Sequence, residues 1–229
     1  MGSPVDVLTN PAYYALTGPH ARLAENRGRA WRYAPDVAPF LALPDEPVGQ
    51  DWADAAELLG AGHSAALMRP DLPLPESFKL DKQFGLVQFV APDAFGVEEP
   101  EAVLLGPEDV PEMIALTTLT EPGPFRARTI ECGRYLGVRR DGELIAMAGE
   151  RYRLPGYVEI SAVCTHPSYR GQGLGSRLIR AVAAGIEQSG DRPFLHTGAT
   201  NTDAIRLYEK LGFTVSNRMA VMIVEPAGR

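Results

Sequence analysis

The sequence predicts a mixed α/β (α+β) fold, and three local patterns predict it. Val158, Ile160 and Ala162 alternate with Glu159, Ser161 and Val163, the period of a β-strand. Leu174, Leu178, Val182 and Ile186 then recur every four positions, the spacing of one helix face. Upstream, two strand-like runs, 135–140 and 143–151, flank Asp141-Gly142, a dipeptide suited to the positive φ of a tight hairpin turn.

Taken in order, residues 1–93 read as an α/β lobe of their own. Asn10-Pro11 is an N-cap followed by proline at the first helical position. Tyr13, Leu16, His20 and Leu23 carry that helix's apolar face. Short strands are expected at 30–33 and 40–43, and a second helix from Asp51 to Leu59, stopped by Gly60. Two more strands follow at 64–68 and 86–90, with the stiff, exposed stretch P-D-L-P-L-P between them. Ala91 to Pro100, rich in proline and acid, is the expected linker, its core at 94–100.

The second unit, 101–229, opens with a strand at 102–105. A helix start follows, its first-turn acids placed where the helix dipole favours them. T-E-P-G-P-F at 120–125 is a loop. The hairpin and Pro155-Gly156 lead into the Val158 strand, which His166-Pro167 ends, because proline has no amide hydrogen for a ladder. Gly190 stops the helix after it. A strand at 193–197, a helix from Asn201 and a final strand region at 215–224 complete the chain.

Three glycines at alternate positions, Gly171, Gly173 and Gly175, stand between the Val158 strand and its helix. Glycine lets backbone approach a ligand closely, and a helix start offers unpaired N–H groups and partial positive charge. Arg170, Arg177 and Arg180 lie in this stretch with no acid among them, so it suits a phosphate. A G-x-G-x-x-G dinucleotide loop fails, since the sixth position, counting Gly171 as the first, is Ser176. A P-loop fails for want of a lysine.

Downstream, Asn201 or Thr202 can cap a helix whose apolar side is Ala204, Leu207, Tyr208 and Leu211, ended by Gly212. The two segments together resemble the GNAT acetyltransferase superfamily. The first matches its coenzyme A loop, R-x-x-G-x-G at Arg170, Gly173 and Gly175, five residues beyond V-x-T. The second matches N-x-x-A-x-x-L-Y-x-x-x-G-F at Asn201, Ala204, Leu207, Tyr208, Gly212 and Phe213. The resemblance runs from about Glu101 to the end of the chain. It implies a mixed, centrally splayed sheet in the order β-α-α-β-β-β-α-β-α-β(β). The first lobe is then a possible degenerate GNAT-like half, similar to the lobe of glycine N-acyltransferase-like members.

The resemblance also implies chemistry. Acetyl-CoA is the expected co-substrate, and a primary amine of a small molecule, amino acid or peptide attacks its thioester directly. Val163, Cys164 and Thr165 would meet the pantetheine, and Arg170, Gly171, Gln172, Gly173, Leu174, Gly175 and Ser176 the pyrophosphate. Asn201 would touch the pantetheine arm, and Tyr208 would donate to the leaving thiolate. Glu159 is the candidate base: an acid in an apolar strand, where burial raises its pKa towards neutrality. His196 is a rival base. Glu121, Phe125 and Arg126 border the acceptor site in this family's topology. Three readings stay open beside this one: a CoA-binding regulatory or interaction module without turnover, transfer of a longer or aryl acyl group, and a nucleotide-phosphate binder of another fold, which would prefer NAD to CoA.

Composition narrows the classes. A formal charge of −7 on 229 residues argues against nucleic-acid binding. Cys132 and Cys164 make no metal or disulfide pattern, and the four histidines are scattered, so no metal is expected. The N-terminus lacks a basic run before an apolar core, Asp6 spoils a myristoylation signal, and no apolar run spans a membrane. A cytoplasmic monomer or homodimer is the expectation.

Overall fold

The computed structural model describes residues 6–70 and 72–227. The first five residues, read above for a leader or lipid anchor, and Asp71 of the proline-rich stretch lie outside the described residues. In chain order the elements are α1 (Pro11–Leu16), β1 (Ala24–Arg27), β2 (Ala30–Tyr33), β3 (Leu41–Ala42), α2 (Gly49–Leu59), β4 (Ala65–Arg69), β5 (Phe78–Val90), β6 (Val103–Leu104), α3 (Val110–Thr120), β7 (Tyr135–Arg140), β8 (Glu143–Leu154), β9 (Tyr157–Thr165), α4 (Leu174–Gln188), β10 (Arg192–Gly198), α5 (Thr202–Lys210) and β11 (Thr214–Pro226). Among the described residues, no helix is long and apolar enough to cross a membrane.

The strands form a three-stranded sheet, β1-β2-β3, and an eight-stranded mixed sheet in the order β4-β11-β5-β10-β9-β8-β7-β6. The mixed α/β class is as the sequence predicts; the division at 94–100 is not a break in the sheet. β5, from the expected first lobe, lies between β10 and β11, antiparallel to both, and β4 pairs with the far edge of β11. Residues 94–100 are likewise no free linker. Phe95 packs edge-on against Phe213 with ring centroids 4.9 Å apart. The N–H groups of Phe95 and Gly96 donate to the Glu187 carboxylate on α4, at 2.9 and 3.1 Å. The acids that suggested solvent exposure are in part spent on arginines: Glu99 pairs with Arg177 at 2.6 Å.

Two helix expectations also need correction. α1 stops at Leu16 because Gly18-Pro19 cannot extend it, and the chain resumes as a 3₁₀ turn over Ala21–Leu23. Asn10 does not cap it; its side-chain amide donates to the Leu43 carbonyl (2.9 Å) and to Asp45 (2.8 Å). The second helix expected before β7 is a 3₁₀ turn, Thr129–Cys132. Here Thr129 replaces a helix ladder, accepting from the Arg126 N–H (2.7 Å) and donating to the Val37 carbonyl (2.6 Å).

Helices α4 and α5 cover one face of the large sheet, burying Val87, Phe89, Val158, Ile160, Leu178, Val182, Ile186 and Leu195. On the other face α1 and the 33–42 segment bury Leu16, Tyr33, Phe40, Leu86, Tyr152, Phe194 and Met219, and α3 buries Met113, Leu116, Tyr135 and Met147. The hydroxyls of Tyr135 and Tyr152 are enclosed there without a hydrogen-bond partner. A desolvated, unpaired hydroxyl costs about 1–3 kcal/mol. Tyr152→Phe keeps the ring's packing on Phe40 (5.4 Å) and Tyr33 (6.1 Å). It is therefore expected to leave the unfolding free energy unchanged or to raise it, within that range. A urea unfolding curve showing a loss above about 1 kcal/mol would refute this.

Candidate active site

The site begins where two neighbouring strands part. β9 and β10 pair in parallel only as far as Ile160 and Leu195. Beyond that point each strand keeps its outer partner, Thr165 opposite Ala146 and Gly198 opposite Leu86. The cause lies in β9. Ala162 adopts φ +53°, and the β8–β9 register shifts between Met147 and Gly149, a bulge that bends the strand away. The His166 N–H donates back to the Ile145 carbonyl at 2.7 Å. Strand alternation then turns the main-chain groups of Val163 and Thr165 away from β8 and into the gap. Burial pushes the Cys164 thiol up to about 11, so it keeps its proton at neutral pH and is no nucleophile.

The glycine turn closes over the same end of β9. A β-carbon on Gly175 would stand 3.7 Å from Val163 Cγ1 and 4.0 Å from Thr165 Oγ1. Gly171 and Gly173 have φ of +79° and +75°, a region L-residues avoid, and no atom lies within 4 Å of where a β-carbon would be. Among the described residues, nothing accepts from the N–H groups of Gly171 through Ser176; the ladder starts with Arg177 N–H to the Gly173 carbonyl at 3.1 Å. Leu174 is buried and anchors the helix start. The positive charge here is smaller than the sequence suggests. Arg177 is held by Glu99 and Glu101 (2.6 and 2.7 Å), and Arg180 stacks on Phe95 at 4.4 Å. Arg170 is exposed and has no acidic partner among the described residues.

Below the gap, a polar row crosses five adjacent strands, buried from Gln88 to Arg151 and open to solvent at its β11 end. The Gln88 carbonyl on β5 accepts from Ser216 and Asn217 on β11, both at 2.8 Å. Its amide nitrogen donates to the Leu8 carbonyl and to His196 Nε2 on β10, both at 2.9 Å. A main-chain carbonyl can only accept, so Leu8 fixes the amide's orientation, and His196 Nε2 is an acceptor. His196 Nδ1 therefore carries the hydrogen and donates to Glu159 Oε1 at 2.7 Å. The same carboxylate takes both arms of the Arg151 guanidinium, at 2.6 and 2.7 Å. A register shift between Glu150 and Arg153 sets Arg151 opposite it.

This overturns the expected state of Glu159. Burial alone would raise its pKa, but the Arg151 charge and the His196 hydrogen bond outweigh burial and hold it at about 2. Glu159 is fully enclosed, and both its oxygens are engaged. His196 likewise has both ring nitrogens occupied. Neither offers a free basic atom.

Comparison with known proteins gives the family. A profile of the FR47-like protein family matches residues 135–221, from β7 into β11. A crystal structure from Novosphingobium aromaticivorans, assigned to the GNAT family, superposes with a TM-score of 0.89 at 39% identity, covering 98% of this chain and 100% of that one. This chain belongs to the GNAT family. A GCN5-related N-acetyltransferase from Kribbella flavida shares the fold, with a TM-score of 0.64 at 19% identity over 94% of this chain and 95% of that one. Among curated proteins, the mycothiol acetyltransferase of Corynebacterium glutamicum strain R is 37% identical over 83 residues, 35% of this chain. The match spans 28% of that protein, so the chain covers less than a third of the curated relatives' length.

Against this GNAT frame the remaining candidates fall in two places. Asn201 is exposed beside the end of β10 and caps α5, accepting from the Ala204 N–H at 3.1 Å. Tyr208, on α5, is buried against Phe89 (5.7 Å) and Phe213 (5.9 Å). Its hydroxyl has no partner among the described residues and, unlike those of Tyr135 and Tyr152, is not sealed from solvent. Burial pushes its pKa up to about 12. The other place is the α3–β7 loop. Glu121 ends α3 in a left-handed conformation (φ +49°) and is exposed. Phe125 packs on Tyr135 at 5.5 Å, and Arg126 bonds the Pro35 carbonyl. Sequence reasoning missed Gln88 and Arg151. The signal for Gln88 was a lone amide inside the apolar run L-V-Q-F-V. Arg151 gave none, since its partner is fixed by a bulge.

Proposed function

We propose that the chain is an acetyl-CoA-dependent N-acetyltransferase acting on a primary amine of a small molecule, amino acid or peptide. One observation carries this reading. The gap between β9 and β10 opens beside a helix start whose N–H groups, from Gly171 to Ser176, lack partners among the described residues. The chemistry of these donors fits a pyrophosphate, and the open edge at Val163 and Thr165 fits the amides of a pantetheine arm. Acetyl-CoA supplies the activated acetyl thioester.

In this reading Arg170 and the turn hold the phosphates, and Asn201, already committed to its helix cap, touches the arm through its free amide. Tyr208 keeps its proton across the physiological range and donates a hydrogen bond to the leaving sulfur. Glu159 is a positioning residue that fixes His196 and Arg151. The amine's proton passes to solvent, since neither Glu159 nor His196 has an unpaired basic atom.

The test is calorimetric titration of the protein with acetyl-CoA, CoA and NAD, then thiol release with a panel of amines. Micromolar binding of both CoA forms, and none of NAD, is expected. Wild-type protein that binds neither CoA form overturns the reading. Tyr208→Phe is expected to lower kcat about 100-fold, the usual scale of one proton-transfer contact, with the Kd for acetyl-CoA unchanged. An unchanged kcat would leave Tyr208 as a packing residue.

A further inference from the structure

The acceptor side carries a charge pattern that narrows the substrate. A cleft of about 330 Å³ lies between the β2–β3 turn, the 62–65 segment and the α3–β7 loop. Its body is apolar, formed by Pro35, Ala38, Phe40 and Leu59, and its polar groups include Arg32, Arg126 and His63. No carboxylate lines it among the described residues, although the chain carries 29 acids against 22 lysines and arginines.

The two guanidiniums differ. Arg32 is neutralised by Glu25, at 2.8 and 2.7 Å. Arg126 bonds the Pro35 carbonyl, a neutral group, and meets no carboxylate among the described residues. Its neighbour Arg128, by contrast, is taken by Glu131 (2.6 Å) and Asp36 (3.2 Å). The loop is also fixed in place. Arg128 N–H donates to the Asp36 carbonyl at 3.0 Å, and Thr129 bonds the Val37 carbonyl at 2.6 Å. One uncompensated, planar donor is thus held at the rim of an apolar cleft.

Two chains of packed residues link the lining of the cleft to β9. Arg126 follows Phe125, whose ring packs on Tyr135. The Tyr135 ring lies so close over Gly149 that a β-carbon there would fall 2.2 Å from it. Gly149 is the register partner of Ser161, the residue before the Ala162 bulge. From the inner wall, Phe40 packs against the Arg151 guanidinium at 5.2 Å, and Arg151 grips Glu159. The lining of the cleft is thus coupled by packing to β9 on the sheet face opposite α4.

We propose that this cleft receives the acceptor amine, and that the acceptor carries an anionic group, a carboxylate or a phosphate, bound by Arg126. A planar guanidinium pairs with either through two parallel hydrogen bonds, and an apolar body beside it accommodates the acceptor's carbon skeleton. The inference rests on the acyltransferase reading above.

The test compares matched amines on the CoA-loaded protein: leucine against leucinamide, and ethanolamine phosphate against ethanolamine. Binding is read by calorimetry, and thiol release from acetyl-CoA is read in parallel. At least one acid is expected to bind about ten-fold tighter than its neutral partner, and the pair that shows it names the anion. Arg126→Ala should erase that preference and leave the Kd for acetyl-CoA unchanged; Arg126→Lys should restore part of it. Equal binding within both pairs, a preference that survives Arg126→Ala, or no binding by either acid overturns the inference. Acetyl-CoA titration of the same samples separates the two readings. If acetyl-CoA binds and the preference fails, only the substrate class is wrong.

Discussion

Replacing Arg151 with methionine is expected to lower the unfolding free energy by about 3–5 kcal/mol, the usual cost of removing one partner from a buried ion pair. Glu159 is fully enclosed, and Arg151 is nearly so. Without the guanidinium the carboxylate keeps one hydrogen bond, from His196, and no compensating charge. The pH dependence gives the claim its sign. The Glu159 pKa is depressed, from an ordinary 4.5 to about 2, so the stability it contributes is present above about pH 5 and is lost as pH falls through that interval. Across the interval it amounts to about 3 kcal/mol. In the variant, burial without Arg151 raises the pKa instead, and that contribution disappears. The gap between wild type and variant should therefore be full at pH 7 and roughly halved at pH 3. Urea unfolding at both pH values measures it. A loss under about 1 kcal/mol at pH 7, or an equal loss at both, would show that the pair does not stabilise the fold in this way. Adding Glu159→Gln to the variant should recover part of the loss, because no lone charge remains buried.

Gly173→Trp is expected to weaken acetyl-CoA and CoA binding by on the order of 100-fold or more. Two causes act together. The residue sits at φ +75°, where a side chain strains the backbone, and its absent β-carbon faces open space. An indole there fills the proposed phosphate cradle. Gly190→Trp is the control. It has φ +82° and equally open surroundings, but lies beyond the other end of α4. It carries the same backbone penalty and should bind CoA as wild type does. Loss in both variants would mean that binding reports only helix stability. Loss in neither would remove the glycine turn from the site.

The local features of this fold were legible because each is written in a few consecutive residues. The Asp141-Gly142 turn, the four-residue spacing of α4 and the cap at Asn201 are of this kind. What escaped depends on pairing between distant segments. Nothing in K-L-D-K-Q-F announces a strand, since that half of β5 is exposed and is ordered by β11 alone. The bulge at Ala162 follows no composition rule, being an alanine in a conformation that favours glycine. The pKa of Glu159 was misjudged for the same reason. Burial could be read from its apolar neighbours, but the two arginine arms that reverse its effect come from another strand. The arginine-rich turn failed in the opposite direction, because the acids that neutralise Arg177 lie in the supposed linker.

The placement of β5 also sets a timetable for the chain. Val90 must wait for Phe194 and Thr214 before either of its edges is covered. During synthesis this interior strand of the finished sheet therefore stays unpaired on both sides until β10 and β11 have followed it. Bare edges of this kind invite pairing with other chains, and contacts between such distant segments form slowly. The exposed half of β5 carries Lys79, Asp81 and Lys82, charges of the sort that discourage such encounters during the wait.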